Sequence, residues 1–208
     1  MSDNIQMLAG IGSQQTGKAN GRSPRDLTSL PLDLGDLLAV RDGFYAFESA
    51  LHVFSSSPAL AEPSLAEWNS SDLWRKNYDG LDDALFFFAE DIFGEQFGIG
   101  ERGVYRFNPE TGEKTLLTAT VEDWAGLMLR EYNVETGYPI AQEWQRLHGR
   151  LPVGSRLIPK VFFVLGGEYA VDNLYLLEAA KAMRLRGDLA VQIRDLPDGA
   201  KVRIKTVE

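Results

Sequence analysis

The chain has 208 residues, which suits a single domain, and its hydrophobic fraction of 44% is ordinary for a globular protein. It contains no cysteine, which excludes disulfides, thiolate metal sites and cysteine nucleophiles and agrees with a reducing compartment such as the cytoplasm. The formal net charge of −9 argues against nucleic acid as a direct partner and favours cationic partners. The longest apolar runs are strand-sized, far below the roughly 20 residues that span a bilayer, so no membrane segment is expected.

The first 25 residues are rich in Gly, Ser, Gln and Asn and show little hydrophobic periodicity. They also lack the apolar stretch of a secretory signal. We therefore predict a mobile N-terminal tail over residues 1–25, followed by one domain over residues 26–208.

Three elements are expected in the first part of that domain. Leucines at helical spacing predict a short helix from about Leu32 to Arg41. Two apolar runs, 44–47 and 50–54, predict a pair of strands. Residues 64–78 predict two short helices, with a polar stretch at 69–72 offering an N-cap between them.

The centre of the chain predicts an antiparallel meander. The run Leu85–Ala89 is apolar throughout, which is typical of a strand buried on both faces. Glycine and proline turns separate it from three further strand candidates at 96–99, 104–107 and 114–119.

The last part of the chain mixes helices and strands. Helices are predicted from Thr120 to about Tyr132, from Pro139 to Gly149 and over 188–196, and strands over 161–165, 173–177 and 202–207. The fold class is therefore α+β, with a mostly antiparallel central sheet flanked by several short helices.

This order of elements, together with several short segments, resembles the SMI1/KNR4 superfamily, also called SUKH, over roughly residues 27–207. The segments are Asp42-Gly43-Phe44, Ala50-Leu51-His52-Val53-Phe54, Trp68-Asn69, Trp74-Arg75, Phe88-Ala89-Glu90-Asp91-Ile92-Phe93-Gly94, Pro109-Glu110-Thr111-Gly112-Glu113 and Glu122-Asp123-Trp124. The resemblance implies a cytoplasmic binding protein, because bacterial members are typically immunity proteins that block toxins, often nucleases. The family has no shared catalytic residues to carry over.

An acidic stretch is the strongest candidate for contact with a cationic toxin. Between Glu62 and Glu95 nine acids face two bases. Complementary carboxylates would speed and select the encounter with such a partner, although a merely solvated surface gives the same pattern. The candidate partner-binding residues are Glu67, Asp72, Asp79, Asp82, Asp83, Glu90, Asp91 and Glu95.

The sequence favours no metal, cofactor or catalytic site. Glu90 and Asp91 are adjacent in a predicted strand and should point to opposite faces, which disfavours a shared carboxylate site. His52 and His148 have no neighbours at ligand spacing, so structural or capping roles are expected. The GxGxxG string at 98–103 is followed by strand-like residues, whereas a dinucleotide site needs a helix there.

Two alternative functions remain open at this point. One is a regulatory or scaffold module that binds several partners through the N-terminal tail. The other is an enzyme with an unrecognised carboxylate site around Glu90, Asp91 or Glu95. A monomer or weak dimer is expected in each case.

Overall fold

A computed structural model describes residues 3–17, 30–31, 33–57, 62–197 and 199–200. Its centre is a six-stranded antiparallel sheet whose strands follow one another in chain order, and a separate two-stranded antiparallel sheet lies beside it. The strands are β1 Phe44–Ala46, β2 Leu51–Val53, β3 Phe86–Asp91, β4 Gln96–Gly100, β5 Gly103–Phe107 and β6 Lys114–Thr118, with β7 Ser155–Pro159 and β8 Leu174–Glu178 in the small sheet. The predicted meander and the α+β class are confirmed.

Helices pack around these sheets. They are α1 Asp3–Ile11, α2 Leu34–Val40, α3 Leu65–Trp68, α4 Val121–Glu135, α5 Tyr138–His148 and α6 Ala179–Ile193, with 3₁₀ turns at Arg75–Tyr78, Phe163–Leu165 and Val171–Asn173. None of the helices in the described ranges has both the length and the apolar content to cross a bilayer.

The core forms on both faces of β3, as its uninterrupted apolar run predicts. Phe87 lies against Trp74 at a ring-centroid distance of 5.3 Å, and Phe88 lies edge-on to Trp124 of α4 at 4.8 Å. All four rings are fully buried. Burying one such ring contributes about 2–3 kcal/mol, so this strand holds the helices of both sides.

The prediction of a mobile tail is wrong for residues 3–17. Helix α1 buries Ile5, Leu8 and Ala9, which share one face at helical spacing. The Glu122 carboxylate accepts the N–H groups of Asn4 at 2.9 Å and of Ile5 at 3.1 Å, so a residue far along the chain satisfies the first turn. Beyond α1 the backbone runs beside β1, where the Ser13 N–H donates to the Tyr45 carbonyl at 2.7 Å.

The predicted strand at Val161–Leu165 is also wrong. Phe163–Leu165 forms a 3₁₀ turn, and Gly166 follows at a positive φ of 88°. The chain therefore turns back, and the Gly167 N–H donates to the Phe162 carbonyl at 3.0 Å. The strand that enters the small sheet instead is β7, whose sequence includes a fully buried arginine, Arg156.

Smaller differences concern element ends. Helix α6 begins at Ala179 rather than at Asp188. The N-cap of α3 is Ser64, which forms a reciprocal capping box with Glu67. The second short helix predicted in 64–78 is the 3₁₀ turn Arg75–Tyr78, and its N-cap residue is Trp74 rather than a residue of 69–72. The predicted strand over 202–207 lies outside the described residues.

Candidate functional site

The eight candidate acids divide by burial, so they cannot form one exposed face. Asp82, Glu90 and Asp91 are buried, and Glu95 is only partly accessible. The acidic-face prediction is therefore wrong for the three buried residues. Their carboxylates face the interior because strand β3 and the turn before it lie under the helices. The exposed members are Glu67, Asp72, Asp79 and Asp83.

Two of the exposed acids already have structural partners. Glu67 accepts the Ser64 N–H at 2.8 Å in the capping box, and these bonds lower the pKa of its carboxyl. Asp79 pairs with Arg194 at 2.9 Å. The buried Asp82 pairs with Arg75 at 2.5 Å. Within the described ranges, Glu67, Asp91, Asp72 and Asp83 make no ion pair, and of these four only Asp72 and Asp83 also accept no side-chain hydrogen bond.

Glu90 is the centre of a buried polar cluster, the Glu90 cluster, which also contains Tyr45, His52, Glu62, Gln96 and Arg156. Strand register places Glu90 of β3 opposite His52 of β2. The Glu90 Oε1 atom lies 3.1 Å from His52 Nδ1 and 2.9 Å from Arg156 Nη2. Its Oε2 atom accepts from Gln96 Nε2 at 3.2 Å, and the Gln96 side-chain oxygen accepts from Trp68 Nε1 at 2.8 Å.

The Glu90 cluster keeps one carboxylate ionised and one histidine neutral. Burial disfavours the ionised form of Glu90, but Arg156, His52 and Gln96 together outweigh it and lower the pKa. Burial lowers the pKa of His52 to about 4, and the hydrogen bond that His52 donates to Glu90 opposes this shift. Burial also raises the pKa of Glu62 to about 7, with Arg156 opposing the rise. The arrangement is that of a buried ion pair with neutral neighbours.

Tyr45 links this cluster to the surface. Its ring stacks on His52 at 4.3 Å, and its hydroxyl donates to Glu62 and accepts the Gly154 N–H at 3.1 Å. The other side of Tyr45 lines an open groove of about 1220 Å³. Two exposed arginines, Arg146 and Arg150, and two exposed glutamates, Glu48 and Glu143, line this groove, so their charges balance.

Asp91 and Glu95 lie on the opposite side of β3 from Glu90, as strand alternation predicts. Asp91 Oδ1 accepts the N–H groups of Phe93 at 2.9 Å and Glu95 at 2.8 Å, so it closes the turn between β3 and β4. Burial raises the pKa of Asp91, and Glu95 adds to the rise. Burial likewise raises the pKa of Glu95, although Arg106, 3.2 Å away, opposes it.

A small cavity adjoins this pair. Glu95, Glu110 and Arg186 line it under the rings of Phe163 and Tyr169, and its volume of about 10 Å³ admits no more than one water. Glu110 is 3% exposed, and its Oε1 atom has no hydrogen-bond partner among the described residues. The perturbed carboxyls therefore converge, but on a space too small for a substrate.

An apolar loop covers this cavity. We call residues 160–173 the β7–β8 loop. It exposes Val161 by 53%, Val164 by 40%, Leu165 by 37% and Tyr169 by 55%. A cluster of exposed apolar side chains is typical of a protein contact surface, whereas isolated ones are not informative. The sequence interpretation missed this surface because it placed 161–165 in a buried strand.

The other residues considered in the sequence, His148 and the GxGxxG string, have structural roles. His148 at the end of α5 contacts the Trp144 carbonyl through Nδ1 at 3.1 Å, which is the expected capping contact. Residues 98–103 form the β4–β5 hairpin, so no helix follows the GxGxxG string. In the described part of the chain, no group of three or more His, Cys, Asp or Glu side chains could hold a metal ion.

No protein-family model matches the sequence, and no curated protein is similar to it. The fold is similar to that of a solved structure, the crystal structure of Atu4351 from Agrobacterium tumefaciens, with a TM-score of 0.56. The two chains are 13% identical, and the similarity covers 88% of this chain and 87% of the other. At this identity the likeness concerns the fold, and it extends over nearly the whole of both chains.

Proposed function

We propose that this protein acts by binding another protein without catalysing a reaction, and that it is a cytoplasmic immunity protein that occludes a cationic toxin. The observation that carries the proposal is the β7–β8 loop, which holds four large apolar side chains in solvent within nine residues. Exposed apolar side chains concentrated in this way favour a protein partner over a small molecule.

The charges of the molecule support a cationic partner. The whole chain carries −9, and Asp72 and Asp83 remain exposed without ion pairs in the described structure. Two of the buried carboxylates are matched by arginines, in the pairs Glu90–Arg156 and Asp82–Arg75. These acids therefore stabilise the fold, and the unmatched acids are the ones left to attract a partner.

The toxin-blocking role rests on the resemblance to the SMI1/KNR4 superfamily. A direct test places this chain in a host that also expresses the protein encoded by the adjacent reading frame. The proposal predicts that the adjacent protein arrests growth, that this chain restores it, and that the two purified proteins form a complex. An adjacent protein that arrests growth equally with and without this chain, and that shows no complex, would contradict the proposal.

The structure changes how a scaffold role can be tested. Deleting residues 1–25 no longer separates tail-mediated binding from other binding, because α1 contributes Ile5, Leu8 and Ala9 to the core. A scaffold that works through this segment would need to unfold part of its own core. We therefore propose no function for residues 3–11 beyond packing.

A further inference from the structure

The β7–β8 loop is held rigidly, which explains why its apolar side chains stay exposed. The Asn173 side chain accepts the Val161 N–H at 2.9 Å and donates to the carbonyls of Val161 and Glu168 at 3.0 Å each. Phe163 and Tyr169 stack inside the loop at 3.8 Å with an interplanar angle of 7°. A surface that is ordered before the encounter loses less entropy on binding.

Core side chains contact this loop and hold it in position. Phe93 lies edge-on to Phe163 at 5.6 Å and to Tyr169 at 5.3 Å. The Val164 N–H donates to Glu110 Oε2 at 2.9 Å. Phe163 thus packs between the core and Tyr169, whereas Val161, Val164, Leu165 and Tyr169 keep 37–55% of their surface exposed.

The exposed charges of the loop are mainly acidic. Glu168 and Asp172 are exposed and make no ion pair among the described residues, and Lys160 is the single exposed base of residues 160–173. Burial raises the pKa of Tyr169 to about 12, and Glu95, Asp91 and Glu110 all add to the rise. An aromatic ring in such a field attracts a lysine ammonium or an arginine guanidinium.

The groove beside Tyr45 offers a useful contrast. It also exposes an apolar side chain, Val153, at 57%, but two arginines and two glutamates line the same groove. A lining whose charges balance gives no electrostatic preference for a cationic protein. Of the two surfaces, the β7–β8 loop is the one that combines apolar contact with negative charge.

We propose that the β7–β8 loop is the surface that docks a cationic partner protein, with Val164 and Leu165 in the contact and a lysine or arginine of the partner packed against Tyr169. This inference rests on the proposed function, because the partner is the toxin that the chain would neutralise. It moves the contact away from residues 67–83, which hold the exposed members of the predicted acidic stretch Glu62–Glu95.

The test uses the full chain and an inactivated form of the protein encoded by the adjacent reading frame, with binding measured by calorimetry. The double variant Val164→Ser/Leu165→Ser should weaken binding at least tenfold and reduce protection in the growth assay. The matched control is Val134→Ser/Leu147→Ser, which alters two exposed apolar residues on α4 and α5 and should change affinity less than twofold. Higher salt should weaken binding by the wild-type chain.

A second pair of variants tests the rival surface. Asp72→Asn/Asp83→Asn removes the two unpaired acids of the stretch 67–83 and should weaken binding less than the loop variant does. Loop variants that bind and protect as the wild type does, or a greater loss in the acid variant, would overturn the inference while leaving the proposed function intact. Failure of the wild-type chain to bind or protect would instead overturn the proposed function.

Because Val164 and Leu165 are exposed, their substitution should leave the melting temperature unchanged. A further variant, Tyr169→Leu, removes the aromatic face but keeps an apolar side chain. It should weaken binding, and the salt dependence of its affinity should be similar to that of the wild type because the carboxylates remain. Undiminished binding by Tyr169→Leu would overturn the placement of the basic side chain on this ring.

Discussion

Removing Arg156 should expose how strongly the Glu90 cluster depends on one guanidinium. The two side chains are each 1% exposed, and Arg156 Nη2 lies 2.9 Å from Glu90 Oε1. The substitution Arg156→Met keeps an apolar stem of similar length and deletes the charge. Glu90 would then be a buried carboxylate whose remaining partners are the neutral His52 and Gln96.

The expected loss is about 4 kcal/mol of unfolding free energy at pH 7.5, because breaking a buried pair from one side costs about 3–5 kcal/mol. The contact of Arg156 with the Tyr45 ring, 5.4 Å from the guanidinium carbon, adds a smaller part of that loss. Since the unfolding free energy of a natural domain is about 5–15 kcal/mol in total, the variant should still fold.

The loss should depend on pH in a defined direction. In the wild type the pKa of Glu90 is lowered, so the pair contributes its full stabilisation above the ordinary carboxyl pKa. That stabilisation is lost as the pH falls through the lowered pKa. Without Arg156, unopposed burial raises the pKa of Glu90, and the folded protein prefers the protonated acid. The loss should therefore be smaller at pH 5 than at pH 7.5.

Urea denaturation followed by tryptophan fluorescence can measure these values, since Trp68, Trp74 and Trp124 are fully buried. The double variant Arg156→Met/Glu90→Gln removes both charges and should recover more than half of the loss. A loss below about 1 kcal/mol, an equal loss at both pH values, or a double variant no more stable than the single one would refute the account of a charge-matched cluster.

Two further predictions concern the same core. Burial raises the pKa of Glu62 to about 7, so the folded protein holds a proton that the unfolded chain releases near pH 4.5, and wild-type stability should fall as pH rises between these values. Glu62→Gln should reduce this decline in unfolding free energy by about 2 kcal/mol after allowance for partial solvent access. The same decline in both proteins would contradict the raised pKa of Glu62. In α1, Leu8→Ala should cost about 2–4 kcal/mol because Leu8 is fully buried, whereas Met7→Ala, 53% exposed, should cost less than about 0.5 kcal/mol, and equal effects would mean that α1 does not pack as described.

The strands of the meander were predictable because each carries its own local signal. The apolar run of β3, the glycines after it and the proline–glycine turn at 108–112 fix the number and direction of strands without reference to distant residues. The placement of Glu90 and Asp91 on opposite sides follows from strand alternation for the same reason. In each case, the residues that determine the structure are close neighbours in the sequence.

Most of the misses have the opposite character, because distant residues determine them. Helix α1 is a partial exception, because Ile5, Leu8 and Ala9 give it a local helical spacing, but it has only nine residues and Glu122, 118 residues from Asn4, satisfies its first N–H groups. Strand β7 contains Arg156, and an arginine in a sequence normally indicates a surface position. Only its ion pair with Glu90, from a distant part of the chain, explains its burial. The β7–β8 loop looks like a strand in sequence because its apolar residues are consecutive, and only the Asn173 hydrogen bonds reveal the turn.

The charge of a segment is therefore a poor guide to the surface that it presents. Nine acids between Glu62 and Glu95 suggest one binding face, yet Asp82, Glu90 and Glu95 each lie within 3.2 Å of an arginine nitrogen. Arg75 lies within that stretch, but Arg106 and Arg156 come from later parts of the chain. In the folded chain these acids therefore form ion pairs with its own arginines. A cationic partner would meet only the unmatched acids, and it would bind firmly only where those acids adjoin apolar contact area. The β7–β8 loop meets both conditions, because its exposed acids Glu168 and Asp172 are unmatched and lie among its apolar side chains. Its variants, rather than those of the acidic stretch, should therefore separate binding from folding.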